Sequence, residues 1–281
     1  MVLNLASIQN VINRIKTQGF LKAFMFYWLV YLQKAKDNLY QIHYFGVVNT
    51  IKGIWVNWRH KHLDVTPDQH EYQLTKYGNY FVEASLLDKN SIIYSCGVGQ
   101  DISFDLAISD ALKCKVFLFD PTPIAADYMK QFEDKLLLNY QMVGVWSCDK
   151  IVKFFVDDNP KHPNGKNFSI TNLSETENYF EAKVISVKSI MKLLEHDQID
   201  VLKMDIEGAA IEVLKHIIEQ NILPKQIIVE FEKPNVRAGA SIARVKEYYL
   251  ERENIILKLR NLNYVLTRYQ RDEATFVRVI D

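Results

Sequence analysis

From residue 91 onward the chain alternates short apolar runs with segments whose apolar residues recur every three or four positions. Ser91–Cys96 (SIIYSC) reads as a strand, and Phe104, Ile108 and Ala111 then mark one face of a helix. Val116–Phe119 is a second strand. Thr122 and Pro123 follow in the order that opens a helix, and Tyr128, Phe132 and Leu136 supply its apolar face. Gln141–Trp146 reads as a third strand. The alternation then pauses. Ile151–Val156 and Lys183–Val187 read as extra strands around a loop, Asp157–Ser169, with two prolines and a glycine, before a helix near Ser189–Glu195. Structured insertions at a sheet edge often cover a substrate. The pattern resumes with Val201–Met204, a helix marked by Ile211, Leu214 and Ile218, and a fifth strand, Ile227–Phe231. A helix over about Ala240–Asn261 leads into Tyr264–Arg268 and Ala274–Val279, an antiparallel hairpin with a polar turn. Strands alternating with helices predict an α/β fold with a mostly parallel, doubly wound sheet, closed here by that hairpin.

Residues 1–75 read as a mainly helical extension to a main domain of residues 76–281. Within the extension, Phe20–Leu32 (FLKAFMFYWLVYL) is apolar or aromatic apart from Lys22. Its thirteen residues are too few to span a bilayer, which takes about 20. Lys16, Lys22, Lys34 and Lys36 flank or interrupt it, as in a helix lying on a membrane surface. A helix apolar all round is more often packed against its own protein, and that reading is preferred. His60, His62 and His70 show no metal-ligand motif and read as loop residues.

Composition narrows the function. The 281 residues carry 34 basic and 34 acidic side chains, which argues against a nucleic-acid binder working by bulk charge. The three cysteines, Cys96, Cys114 and Cys148, are odd in number and lack metal spacing, so reduced thiols in a cytoplasmic protein are expected. No signal peptide is recognisable, and the sequons at Asn167 and Asn172 would matter only in a secreted chain.

The chemistry gathers around Val201–Leu214 (VLKMDIEGAAIEVL). Asp205 and Glu207 fall where the strand ends, the place where open α/β sheets bind ligands. One acid there can simply cap the next helix. A second beside it raises the cost of ionising both. Glu230, at the end of the neighbouring strand, is a third candidate acid. After the first strand, Gly97 and Gly99 form a turn that lets backbone approach a ligand closely. Asp120, ending the second strand, suits a ribose diol, since a carboxylate accepts two hydroxyl hydrogens at once. A GxGxxG fingerprint would need glycine at 102, where the chain has Ile102, and Asp101 suits a cationic ligand better than a pyrophosphate. S-adenosylmethionine is such a ligand, with its sulfonium and ammonium groups. Val145 and Trp146 are candidates to sandwich adenine, or simply core residues. Three acids together also suit a hard divalent cation, although no metal-ligand set is assigned.

LKMDIEG at Leu202–Gly208 resembles the strand-four signature of the FkbM-type methyltransferases, a family of S-adenosylmethionine-dependent O-methyltransferases. YSCGVGQDISFD (Tyr94–Asp105) with FDPTP (Phe119–Pro123) resembles a sub-branch of it. The likeness covers about Tyr77–Val279 and implies a Rossmann-like class I methyltransferase sheet. It further implies that Ser95 to Asp101 embrace the methionine end of the cofactor and that Asp120 holds the ribose. The chain departs from the family at Ser95, where many methyltransferases have an acid, at Asp101, where they have glycine, and at Ala210, where glutamate is common. The implied reaction is in-line transfer of the sulfonium methyl to a hydroxyl of a sugar or other secondary metabolite. Asp205 is then the expected base, Glu207 the acid held ionised by backbone amides at the helix start, and Lys203 a strand residue or a counter-charge. Two alternatives stay open: a nicotinamide-dependent oxidoreductase, and a catalytically silent binding module of the same fold.

Overall fold

In the computed structural model, residues 65–156, 168–169, 177–233 and 241–279 are described. Phe20–Leu32, His60, His62, both sequon asparagines and most of the Asp157–Ser169 loop lie outside them. The chain runs β1 (Thr75–Tyr77), β2 (Tyr80–Val82), β3 (Ile92–Cys96), α1 (Ser103–Leu112), β4 (Lys115–Phe119), α2 (Pro123–Met129) and β5 (Leu138–Gln141). It continues with β6 (Gly144–Trp146), β7 (Lys150–Val156), β8 (Phe168–Ser169), β9 (Tyr179–Ser186), α3 (Val187–Leu194) and β10 (Val201–Met204). The last elements are α4 (Ala210–Glu219), β11 (Gln226–Glu230), α5 (Ile242–Asn261), β12 (Tyr264–Gln270) and β13 (Glu273–Arg278).

Seven strands form the main sheet in the order β12-β13-β11-β10-β3-β4-β5. Neighbours from β11 to β5 pair in parallel, while β13 is antiparallel to both β11 and β12. Every residue of β10 is buried, as a parallel strand covered on both faces requires. This is the Rossmann-like sheet with a closing hairpin that the pattern predicted. Chain direction across the sheet reverses between β3 and β10. The crevice at the carboxyl ends of those two strands is therefore the topological switch point, where such sheets bind ligands. Among the described residues, no helix is long and apolar enough to cross a membrane.

Three expectations need correction. Gln141–Trp146 is not one strand. The chain turns at Val143, whose N–H reaches back to the Gln141 carbonyl, so β5 ends at the main sheet's edge. Gly144–Trp146 instead pairs with β9 in a second sheet, ordered β6-β9-β7-β8, which contains the two extra strands expected from the insertion. The helix after Thr122 also stops early, at Met129, followed by one 3-10 turn over Lys130–Phe132. Leu136 consequently stands 93% exposed and belongs to no apolar face. The third correction is an addition, the β1–β2 hairpin that precedes the main sheet. It is fastened by the buried Gln226 side chain, which accepts from the Glu83 N–H at 2.8 Å and donates to the Glu83 carbonyl at 2.9 Å.

Candidate active site

The crevice is built from the ends of β3, β10 and β11, roofed by the hairpin. Gly97 continues β3, and the Asp205 N–H donates to the Cys96 carbonyl at 2.9 Å, so the two strand ends stay joined at the turn. Lys203, 2% exposed, sends its Nζ to the Gly97 carbonyl at 2.8 Å. The same ammonium lies 4.9 Å from the centre of the Tyr80 ring. The Tyr80 hydroxyl donates to Asp205 Oδ2 at 2.8 Å. Backbone turn, cation, ring and acid thus form one continuous chain.

Asp205, Glu207, Glu230 and Glu232 gather at the same mouth and bond in two pairs, Asp205 with Glu230 and Glu207 with Glu232. Burial first, and then the charges of Asp205 and Glu207, push the Glu230 carboxyl up to about 7. Glu232 is raised further by burial and by its bond to Glu207, although the Gly208 N–H it accepts pulls the other way. The raised carboxyls are those of Glu230 and Glu232, at the end of β11 and just after it. One expectation changes here. The backbone amide at the turn serves Glu232 rather than Glu207. Nor does either acid cap the next helix, since α4 starts from Ala209 with no side-chain cap. Among the described residues no group of three or more His, Cys, Asp or Glu is arranged to hold a metal ion. His70 instead bonds the Thr267 carbonyl at 2.9 Å.

The cofactor-side candidates are sorted differently from their sequence order. Gly97 and Gly99 both have positive φ, +87° and +51°. Asp120 is 6% exposed and bonds inward. Its Oδ2 accepts the Val98 and Gly99 N–H groups, both at 2.9 Å. Its Oδ1 accepts the Thr122 N–H at 2.8 Å and hydroxyl at 2.6 Å. All its acceptor sites are therefore engaged, and a ribose held by Asp120 must take the place of one of these donors. Asp101 is exposed; it accepts the Ser103 N–H at the start of α1 and the Asn79 amide from the hairpin turn. Ser95 is fully buried in β3 beside Asp105, whose carboxyl is raised by burial and lowered by Lys203 and by Ser95 itself. Its side chain is enclosed in the core rather than exposed at the turn. Trp146 sits on β6 in the second sheet, opposite Ser186, with the Lys150 ammonium 5.7 Å from its ring. It is not at the end of a main-sheet strand.

Sequence reasoning missed Tyr80 and gave no role to Glu232, which follows Ile227–Phe231. Tyr77-Gly78-Asn79-Tyr80, a Gly-Asn turn between aromatic strand residues, was the available signal for the hairpin.

The chain matches the Methyltransferase FkbM domain over residues 44–266. It belongs to the FkbM methyltransferase family. The match begins inside the segment expected to be an extension. Among solved structures the chain is similar to the Methanococcus jannaschii fibrillarin pre-rRNA processing protein. That likeness has 12% identity and a TM-score of 0.36, covering 76% of this chain and 84% of that one. A comparison with curated proteins finds no match. An FkbM methyltransferase draws its methyl group from S-adenosylmethionine, and the crevice suits that cofactor. A Cβ at Gly99 would meet nothing within 4 Å, so the turn opens onto free space beside an acid-rich mouth. A sulfonium and an ammonium group are the kind of charge such a mouth accepts.

The Glu230 shift has a measurable consequence for this FkbM protein. Its folded-state value of about 7 lies above the ordinary 4.5, so between those pH values the folded state holds more protons than the unfolded. The stability this contributes is complete below about pH 4.5 and is lost as pH rises through about 7. Glu232 acts in the same direction at higher pH. Urea unfolding at pH 5.5 and 8 should show that wild type loses about 1–2 kcal/mol more than Glu230→Gln over that interval, after discounting for solvent screening. Equal losses in the two proteins would mean that Glu230 is not raised.

Proposed function

We propose that this FkbM methyltransferase transfers the methyl group of S-adenosylmethionine to a hydroxyl of a sugar or another small metabolite, in the reducing cytoplasm that its three free cysteines suit. The observation that carries this reading is the Asp205–Glu230 carboxyl pair, held at the switch point across from the glycine turn with Glu230 raised to about 7. A base tuned near neutral pH suits an alcohol, whose hydrogen must leave as the new oxygen–carbon bond forms. General-base assistance of this kind contributes about 10²–10⁴-fold. The bound cofactor supplies an electrophilic methyl on a sulfonium leaving group. The chain's own part is to hold the turn through Asp120 and Lys203, to shelter the mouth with the hairpin, and to take up the hydroxyl proton at the carboxyl pair. Correct alignment of the two reactants is worth about 7–11 kcal/mol in favourable cases. We assign no nucleic-acid partner, and a membrane surface remains the less favoured partner of Phe20–Leu32.

Calorimetry with S-adenosylmethionine, S-adenosylhomocysteine and NADH side by side is the direct test. The two sulfur compounds should bind and NADH should not. Asp120→Ala should weaken S-adenosylhomocysteine binding by about 1–3 kcal/mol, because it strands the Val98, Gly99 and Thr122 donors that shape the turn. NADH binding alone would replace this reading with the oxidoreductase one.

A further inference from the structure

Tyr80 joins two parts of the site that the sheet alone leaves separate. It comes from β2, outside the main sheet, and the Gln226–Glu83 bonds hold its hairpin down against the start of β11. Its ring meets Phe104 of α1 edge-on, with centroids 5.5 Å apart, so its position is fixed by packing. From there one end of the side chain reaches the acids and its face reaches the cation that grips the glycine turn. Burial first, and then the charge of Asp205, hold the phenol proton well above its usual range, so the hydroxyl stays a donor.

We propose that Tyr80 is a positioning residue of the methyl-transfer site. Its hydroxyl fixes Asp205 within the carboxyl pair, and its ring seats the Lys203 ammonium that holds the Gly97 carbonyl. This rests on the methyltransferase reading above. The hydroxyl arm follows from the 2.8 Å bond to Asp205 Oδ2, since a donor to the ionised carboxylate favours the charged form. The ring arm follows from the placement of a buried ammonium over an aromatic face, a favourable contact once desolvated. Charges facing Asp205 come from several elements: Lys203 on its own strand, Glu207 after it, Glu230 and Glu232 at the end of β11, and Glu273 on β13. Of these only Glu230 can donate to Asp205, and only while it is protonated, below about pH 7. Tyr80 stays a donor on both sides of that step, because its phenol keeps its proton well above the usual range.

The test separates the two arms. Full-length protein labelled with 13C at the glutamate side-chain carboxyls is titrated by NMR, with Glu230 assigned by its loss in Glu230→Gln. Wild type should show a step near 7 for Glu230. In Tyr80→Phe the ring remains but the doubly ionised pair loses its donor, so this step should move upward by about one pH unit. An unmoved step would overturn the hydroxyl arm. Calorimetry with S-adenosylhomocysteine reads the ring arm. Tyr80→Leu should weaken binding about tenfold, while Tyr80→Phe should stay within about twofold of wild type, as expected for loss and retention of a cation–π contact. Equal affinities for both variants would overturn it. Wild-type protein that binds no S-adenosylhomocysteine would sink the cofactor reading instead, and the titration would still decide the hydroxyl arm.

Discussion

Gly97→Ala should destabilise this protein more than a methyl at Gly78, Gly99 or Gly144 would. At φ +87° alanine is strained, at a cost of about 1–2 kcal/mol. The new Cβ would also overlap the Asp205 carbonyl oxygen, a backbone atom that cannot rotate away. Asp205 is tied by its own N–H to the Cys96 carbonyl, so relief requires prising β3 from β10. Overpacking of this kind costs about 1–3 kcal/mol. Together these terms predict a loss of about 2–5 kcal/mol and a melting temperature lower by roughly 5–15 °C. S-adenosylhomocysteine binding should vanish with the turn. Gly99→Ala is the matched control. It has a similar backbone problem at φ +51° but open space around the added carbon, so about 1 kcal/mol is expected. Calorimetric melting of the two variants is the check. If Gly97→Ala melts no lower than Gly99→Ala, the close approach at Asp205 is not a constraint on the fold.

Asp205→Asn and Glu230→Gln should each cut turnover by about 10²-fold or more, once a hydroxyl acceptor is found. Glu230 bonds Asp205 and is raised to about 7 by burial and then by the charge of Asp205, so the two carboxyls are coupled. Removing either leaves the other without the partner that tunes it. The double variant should therefore be little worse than the worse single one, as for residues that act as a unit. The rate of wild type should rise with pH through about 7, and Glu230→Gln should lose that dependence. Transfer of a labelled methyl group, followed from pH 5.5 to 9, measures all of this. Full turnover in Glu230→Gln would pass the role to Asp205 alone. Strictly multiplicative losses would show that the two acids act separately.

Much of this was legible from residue types alone. The alternation of strands and helices was visible because each parallel strand is buried on both faces, so Val201–Met204 and Ile227–Phe231 read as apolar runs with acids at or just beyond their ends. Thr122 announced its helix and does cap it, accepting from the Ala125 N–H. What the sequence hid depends on which way a side chain turns. Asp120 ends its strand where a ribose ligand would, yet its carboxylate is spent on the loop. Glu232 follows β11 as an ordinary polar residue and becomes a site member only because the Gly208 turn comes back to meet it. Trp146 kept its apolar neighbours but changed sheets at Val143, and Gly144, the first residue of β6, was the one mark of that break in an otherwise strand-like run. Tyr80 was invisible because its partners, Lys203 and Asp205, lie more than a hundred positions along the chain.

That separation also dictates when the crevice can exist during synthesis. β3 pairs with β4 almost at once, but its other edge waits for Val201–Met204. Ribosomes add about 5–20 residues per second, so the edge of β3 stays bare for roughly 5–20 s while the intervening chain emerges. An apolar strand with an open edge is a template for pairing with another nascent chain. Gln226, which fastens the hairpin, arrives later still. This architecture therefore leaves the newborn protein open to edge-to-edge pairing until β10 has emerged. Slowing translation before Val201 should increase its aggregation, whereas slowing it after Arg278 should not.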